Sequence, residues 1–150
     1  MAQDYPEGMD CVWMASDQEG CLGVFITAGR GPIPKAALNE EHFDAVDTLL
    51  RDLRPRTAAE VFVTDGNTAD FEDVASLGLF VFDWQDIQHG QGETESYDIA
   101  AAPAEPLRVA DLPPSTTGLA STVRLPLSFR GAKRIDPRPH TDCAEARSDS

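Results

Sequence analysis

Three side chains that could carry acid–base or metal chemistry lie at the end of one apolar run. Asp83, Asp86 and His89 stand at intervals of three, beginning inside LFVFDW and continuing beyond it. In an open α/β sheet, active sites tend to lie at the carboxyl ends of strands. Polar loops follow strands in proteins of every function, however, so these residues are also consistent with a simple connection. A small enzyme or metal-binding protein that uses these three residues is therefore the alternative hypothesis for function.

Recognised catalytic and metal-ligand patterns are absent from the sequence. The only histidines are His42, His89 and His140, and none has a partner at an HExxH-type or CxxC-type spacing. No Gly-x-Ser-x-Gly elbow and no Cys–His nucleophile pair can be recognised. His42 falls in the first turn of a predicted helix, where contact with solvent or with the helix cap is expected. We therefore predict no catalytic residue, no metal site and no cofactor.

Two segments near the N-terminus have the composition of ligand-binding loops, but their details favour turns. Asp17 and Glu19 lie in DQEG, whereas a calcium loop needs oxygen ligands at alternating positions through about twelve residues. GRGPIP has a Gly-x-Gly spacing, but a phosphate cradle needs free backbone N–H groups at a helix N-terminus, and Pro32 and Pro34 each lack that donor. We predict a hairpin turn at DQEG and a rigid turn at GRGPIP.

The elements around these turns alternate between strand and helix patterns. CVWMAS and CLGVFIT flank DQEG as a hairpin, with Ser16 placed opposite Cys21 and with both faces largely apolar. A helix is predicted from Asn39, a good N-cap, to Leu53, with a stop at Pro55. EVFVT is predicted as a strand, TADFEDVASLG as a short helix, LFVFDW as a strand inside the sheet and YDIAAA as a further strand.

These elements predict one α+β domain over residues 1–129, with one main and one short helix packed on a mixed or antiparallel sheet. Polar, proline-rich residues 130–150 favour a loosely ordered tail. The predicted core contains large apolar side chains from each element: Trp13, Phe25, Phe43, Leu50, Phe62 and Phe80.

Composition limits the compartment and the partners. The 150-residue chain has no apolar run near the ~18 residues that cross a bilayer, and its N-terminus lacks a signal-peptide pattern. Three cysteines, an odd number, suit a reducing compartment, so we expect a cytoplasmic protein with no membrane partner. The net charge of −14 argues against direct binding to nucleic acid or anionic lipid, and it favours a cationic partner.

The negative charge is concentrated in the middle of the chain. No Lys or Arg lies between Arg56 and Arg108, whereas the segment from Arg124 to Arg138 contains five basic residues, both ends included. A surface of one sign accelerates association with a partner of the opposite sign, although it can also be only a solvated surface. The predicted partner-binding residues are the acids of this middle region: Asp65, Asp70, Glu72, Asp73, Asp83, Asp86, Glu93, Glu95 and Asp98.

Three motifs carry a resemblance to a known group of proteins. They are the Trp13-x-Ala15-x-Asp17 strand, the segment TAGRGPIP that begins at Thr27, and the Phe82-Asp83-Trp84 strand end. With YDIAAAPAEPL, this pattern over residues 8–112 resembles small bacterial immunity proteins that accompany polymorphic or Rhs-type toxins. The resemblance implies a cytoplasmic protein that binds and blocks a cognate toxin domain. The toxin domain would be basic and would act on nucleic acid or nucleotides, and the acidic inhibitor would block its active-site face.

Overall fold

In the computed structural model, the chain folds around a six-stranded mixed sheet. The model describes residues 5–6, 8–62, 68–85 and 96–145. The strands are β1 Val12–Ser16, β2 Leu22–Ile26, β3 Ile33–Pro34, β4 Ala59–Val61, β5 Phe80–Gln85, β6 Ser96–Pro103, β7 Arg134–Ile135 and β8 Cys143–Ala144. The helices are α1 Glu40–Asp52, α2 Thr68–Ala75 and α3 Pro114–Ser121. Single 3-10 turns occupy Lys35–Ala37 and Val109–Asp111.

The main sheet has the order β1-β2-β5-β6-β4. On the side of β6 away from β5, β4 pairs with residues 101–103 and β7 pairs with residues 97–98. The β2–β5 pair is parallel, and every other pair in this sheet is antiparallel. A second, two-stranded sheet joins β3 to β8. The predicted α+β class, with helices packed on a mixed sheet in a single compact domain, is confirmed. The LFVFDW strand lies inside the sheet as predicted, because β5 has β2 on one side and β6 on the other.

The two faces of the sheet have different cores. One face, here called the aromatic face, carries most of the buried rings: Trp13, Phe25, Phe80, Phe82, Trp84, Tyr97 and Phe129. The other, here called the aliphatic face, carries Met14, Leu22, Val24, Leu79, Val81 and Ala100 under the buried side chains of the helices. Alternation of side chains along each strand produces this separation. Both faces of the hairpin are therefore buried, as predicted.

The hairpin register differs by one residue from the prediction. Ser16 lies opposite Leu22, not Cys21, and Trp13 lies opposite Phe25, so their rings stack with centroids 4.1 Å apart. The turn sets this register, because the Asp17 carboxylate accepts hydrogen bonds from the backbone N–H groups of Glu19 and Cys21. Gly20 takes the left-handed conformation with φ +83°. The predicted turn residues are confirmed, and one extra residue in the loop shifted the pairing.

The first part of the GRGPIP segment forms a turn, as predicted, and its last two residues form β3. Gly29 has φ +79°, and a Cβ at Gly31 would overlap the Tyr97 hydroxyl. That hydroxyl donates to the Pro32 carbonyl oxygen at 2.8 Å and accepts from Trp13 Nε1 at 3.1 Å. The glycines therefore permit a tight turn and a close approach of the backbone to a buried tyrosine.

The main helix begins and ends where the sequence indicates. The Asn39 side chain accepts a hydrogen bond from the His42 backbone N–H at 2.7 Å, and Leu53 is the C-cap. His42 was expected to contact solvent or the helix cap: its backbone N–H makes the contact with the cap, whereas contact of its ring with solvent is wrong. Its ring is buried, and Nε2 accepts from the Met14 backbone N–H at 3.2 Å. Because β1 is the last strand of the sheet, the histidine satisfies a backbone donor that has no neighbouring strand.

Part of the predicted core is wrong. Trp13, Phe25 and Phe80 are buried as expected, whereas Phe43 and Leu50 are only half-buried. Phe62 is 47% exposed, because it lies just beyond the last residue of β4 at the outer edge of the sheet. The periodicity of a short apolar run does not show that its strand is the last one in the sheet.

The segment after α3 closes the aromatic face, so the predicted loose tail is wrong for residues 130–145. Ser16 exchanges backbone hydrogen bonds with Val123 and Leu125, which carries the chain around the edge of β1. The Phe129 ring then lies over Gly23, where a Cβ would be 2.9 Å from it. β7 and β8 follow, and each pairs with a strand from an earlier part of the chain. A strand of two residues is too short to produce a recognisable periodicity in the sequence. The helix α3 was not predicted either, because its sequence is polar and follows two prolines.

Candidate protein-binding surface

Two carboxylates face each other on neighbouring strands of the sheet. Asp83 on β5 is the direct cross-strand partner of Asp98 on β6. Alternation places both on the aliphatic face, since their neighbours Trp84 and Tyr97 belong to the aromatic face. They lie at the edge where the parallel strands β2 and β5 have their carboxyl ends. The sheet therefore brings together two of the sequence-predicted site residues.

The surroundings of Asp83 favour its neutral form. Burial raises the pKa of this carboxyl to about 6, and the negative charges of Asp10 and Asp98 add to the rise, while a hydrogen bond with the Trp84 backbone opposes it. Like charges placed directly opposite each other destabilise a strand pair. Asp98 is better compensated, because it accepts from Ser96 Oγ at 2.6 Å and lies 3.9 Å from Arg134 Nε. Perturbed carboxyls of this kind are enriched at functional sites.

A groove of about 500 Å³ lies between the segment Met9–Val12 and α1. Its apolar part is formed by Val12, Phe43, Val46 and Leu50. Its carboxylates are Asp10, Glu40, Asp44 and Asp47. Met9, with 63% of its surface exposed, lies in the lining. We call this feature the acidic groove.

Helical spacing explains how α1 supplies these carboxylates. Glu40, Asp44 and Asp47 occupy positions i, i+4 and i+7, so they form one row along the helix. Phe43 and Leu50 lie beside that row and turn their apolar side chains to the same groove. Asp47 also forms an exposed ion pair with Arg51 at 2.6 Å. An exposed i, i+4 pair of this kind stabilises a helix by only about 0.3–0.5 kcal/mol. The groove thus combines negative charge with an apolar floor.

Asp10 connects the acidic groove with the carboxylate pair. It lines the groove, and its charge is one of the causes that raise the pKa of Asp83. Its Oδ1 accepts from the Ala28 backbone N–H at 2.9 Å, which ties the Met9–Val12 segment to the turn after β2. We call the connected set the acidic surface; it consists of Asp10, Glu40, Asp44, Asp47, Asp83 and Asp98.

The other predicted partner-binding residues are distributed differently. Asp70, Glu72 and Asp73 are exposed on α2 and do not line the groove. The predicted site residues that lie outside the described part of the chain are Asp65, Asp86, Glu93 and Glu95. His89 also lies there, so the hypothesis of an Asp83–Asp86–His89 site has one described member. Among residues 5–6, 8–62, 68–85 and 96–145, no group of three or more His, Cys, Asp or Glu side chains could hold a metal ion.

Four members of the acidic surface were not predicted from the sequence: Asp10, Glu40, Asp44 and Asp47. The row of three acids on α1 was available as an i, i+4, i+7 pattern, but the charge gap between Arg56 and Arg108 directed attention to a later region. Asp10 left no such signal, because only the fold places it beside α1 and Asp83.

The fold and the acidic surface define a small α+β protein with a negatively charged groove. The chain matches no protein-family model, and it matches neither a curated protein nor a solved structure. None of the helices in the described ranges is long and apolar enough to cross a membrane.

Proposed function

We propose that this protein is an immunity-type inhibitor that binds a cognate toxin domain through the acidic surface. The observation that supports this proposal is the acidic groove, in which four carboxylates stand around an apolar floor. An apolar floor supplies burial on binding, while surrounding carboxylates select a cationic partner and accelerate its approach. A protruding basic and amphipathic segment of a protein has the complementary chemistry.

The proposed target is a toxin domain that acts on nucleic acid or nucleotides. Enzymes of this class bind phosphate through basic residues, and a row of carboxylates can occupy such a face in place of phosphates. The helix α1, which borders the groove, carries five acidic residues and one basic residue, which is a charge of −4 out of the chain's −14. Direct binding to nucleic acid is disfavoured by the same charge.

We place this proposed inhibitor in the cytoplasm. Cys11, Cys21 and Cys143 are all free thiols, which is typical of proteins from a reducing compartment. Burial raises the pKa of each thiol, so none is set up as a reactive thiolate.

Two charge-reversal variants with equal changes in net charge test the proposal. The groove variant combines Asp44→Lys with Asp47→Lys, and the control combines Glu72→Lys with Asp73→Lys on α2. All four residues are exposed on helices, so both variants are expected to fold, as circular dichroism melts would verify. Protection of cells against a toxin domain that the intact protein binds should fall strongly for the groove variant and little for the control.

Binding measurements show whether charge acts as proposed. Association of the intact protein with the toxin domain should slow as salt rises from about 0.05 to 0.5 M, because screening weakens steering between opposite charges. Equal protection by the two variants would exclude the groove as the binding site. Failure of the intact protein to bind a neighbouring toxin would exclude the immunity function itself.

A further inference from the structure

The aromatic face contains a second recess, which differs in chemistry from the acidic groove. This cleft of about 470 Å³ lies between β6 and the chain that follows Phe129. Its apolar lining consists of Phe62, Phe80, Ile99, Ala102, Phe129 and Ala132. Volumes of about 300–1,000 Å³ with mostly apolar linings are typical of small-molecule sites. We call this recess the apolar cleft.

Strand alternation determines which charged side chain reaches the apolar cleft. Ile135 belongs to the aromatic face, so Lys133, two residues earlier, lies on that face too. Asp98 and Arg134 also border the cleft, but alternation directs their side chains to the opposite face, where they lie 3.9 Å apart. Lys133 is exposed, and its ammonium group makes no ion pair within the described residues. Lys133 is therefore the basic side chain on the same face as the apolar lining, while Asp98 and Arg134 border the cleft.

The exposed ring of Phe62 shows that the apolar cleft presents uncovered hydrophobic surface. It is one of two large hydrophobic side chains exposed within the described residues, and the other, Met9, lines the acidic groove. A ligand in the cleft would cover the Phe62 ring, and burial of apolar area contributes about 25 cal/mol per Å². The buried rings of Phe80 and Phe129 pack beneath the accessible lining of the cleft.

From this geometry we infer that the apolar cleft binds a small amphipathic anion. The ligand places an aliphatic or aromatic body against Phe62, Ile99 and Ala102, and its carboxylate contacts the Lys133 ammonium group. This site lies on the opposite face of the sheet from α1, the helix that borders the acidic groove. It is a binding activity separate from the proposed toxin inhibition, and it does not depend on that proposal.

Titration calorimetry with decanoate and with 1-decanol tests this inference on the intact protein. Decanoate should bind saturably with one site and more tightly than the alcohol. Lys133→Gln should weaken decanoate binding about tenfold, because a hydrogen bond to a charged group is lost, and leave decanol binding unchanged. Phe62→Ala should weaken binding of both ligands, since both lose contact with the exposed ring.

Arg54→Gln provides the matched control, because Arg54 is also an exposed cation and does not line the cleft. It should leave both affinities unchanged. The inference is overturned if the intact protein shows no saturable decanoate binding, or if Lys133→Gln binds decanoate as well as the intact protein does. Equal losses in Lys133→Gln and Arg54→Gln would also overturn it, since a general effect of net charge would then explain the affinity.

Discussion

The two faces of the sheet are closed by different means. Helices cover the aliphatic face through Val46, Leu49 and Ala75, with side chains that hold no charge. The aromatic face is closed by the irregular segment 122–135, which is tied down by hydrogen bonds to buried polar groups such as Asp17. The charge differs as well, because α1 and α2 together carry −7, whereas residues 122–145 contain five basic and three acidic side chains. The solvent-facing side of an amphipathic helix can carry acidic residues without any loss of core packing. The acidic surface therefore lies on the side of the molecule that the helices cover.

Closure of the aromatic face depends most on Asp17. Its carboxylate is fully buried and accepts from the backbone N–H groups of Glu19, Cys21 and Phe129, the last at 2.8 Å. Asp17→Ala leaves these donors without an acceptor, so we expect the free energy of unfolding to fall by about 4 kcal/mol. Urea denaturation measures the change. Glu19→Ala in the same turn is the control. Within the described residues, the exposed Glu19 carboxylate accepts from Ser128 Oγ alone, so this substitution should lower the free energy of unfolding by less than about 1 kcal/mol.

Packing of α1 on the aliphatic face can be tested with two adjacent leucines. Leu49 is 4% exposed and lies in the core, whereas Leu50 is half-buried at the acidic groove. Leu49→Ala should lower the free energy of unfolding by about 3 kcal/mol, because it leaves a cavity. Leu50→Ala should lower the free energy of unfolding by only about 1 kcal/mol, because the half-buried Leu50 side chain contributes less buried apolar area than Leu49 does. Equal losses in denaturant melts would contradict the orientation of α1.

The helix α1 also makes the stability of the fold depend on pH, through its buried histidine, His42. Burial lowers the pKa of His42 from 6.5 to about 4, so the unfolded chain binds a proton that the folded protein excludes. Stability is therefore complete above about pH 6.5 and falls as the pH drops towards 4, by roughly 2–3 kcal/mol. His42→Gln keeps an acceptor for the Met14 N–H but does not titrate. The stability advantage of the intact protein over this variant should shrink between about pH 7 and pH 4, and a constant difference would show that His42 is not the titrating group.

Local signals in the sequence were sufficient for the helices α1 and α2 and for β5. Asn39 caps α1, and Gly78, with φ +103°, follows α2, so capping and glycine chemistry fixed those boundaries. The predictions were wrong where the environment of a residue depends on contacts with distant parts of the chain, as at His42, Phe62 and residues 130–145. Of the acidic surface, Asp83 and Asp98 were predicted from charge alone, but their direct opposition requires the β5–β6 register. Asp10 could not be found, because a single acid acquires its role only through the fold.

Asp83 gives the smallest expected effect on stability, and it separates stability from binding. Its folded pKa of about 6 exceeds the unfolded value of 3.8, so the folded protein binds the proton more tightly. The ionised carboxylate therefore destabilises the fold above about pH 6, and this penalty is absent below about pH 3.8. Because the side chain is only half-buried, solvent screening keeps the penalty at pH 7 below about 1 kcal/mol.

Asp83→Asn removes this charge, so a small gain in stability near pH 7 should disappear near pH 4. Asp73→Asn, an exposed substitution on α2 outside the acidic surface, is the control and should give no gain at either pH. Toxin binding should weaken for Asp83→Asn while stability rises, because the proposed site loses one of its carboxylates. Thermal melts at both pH values and a binding titration with the toxin domain measure the two effects. A loss of stability near pH 7 would show that the carboxylate is held by compensating contacts, and that Asp83 is a structural residue of the sheet.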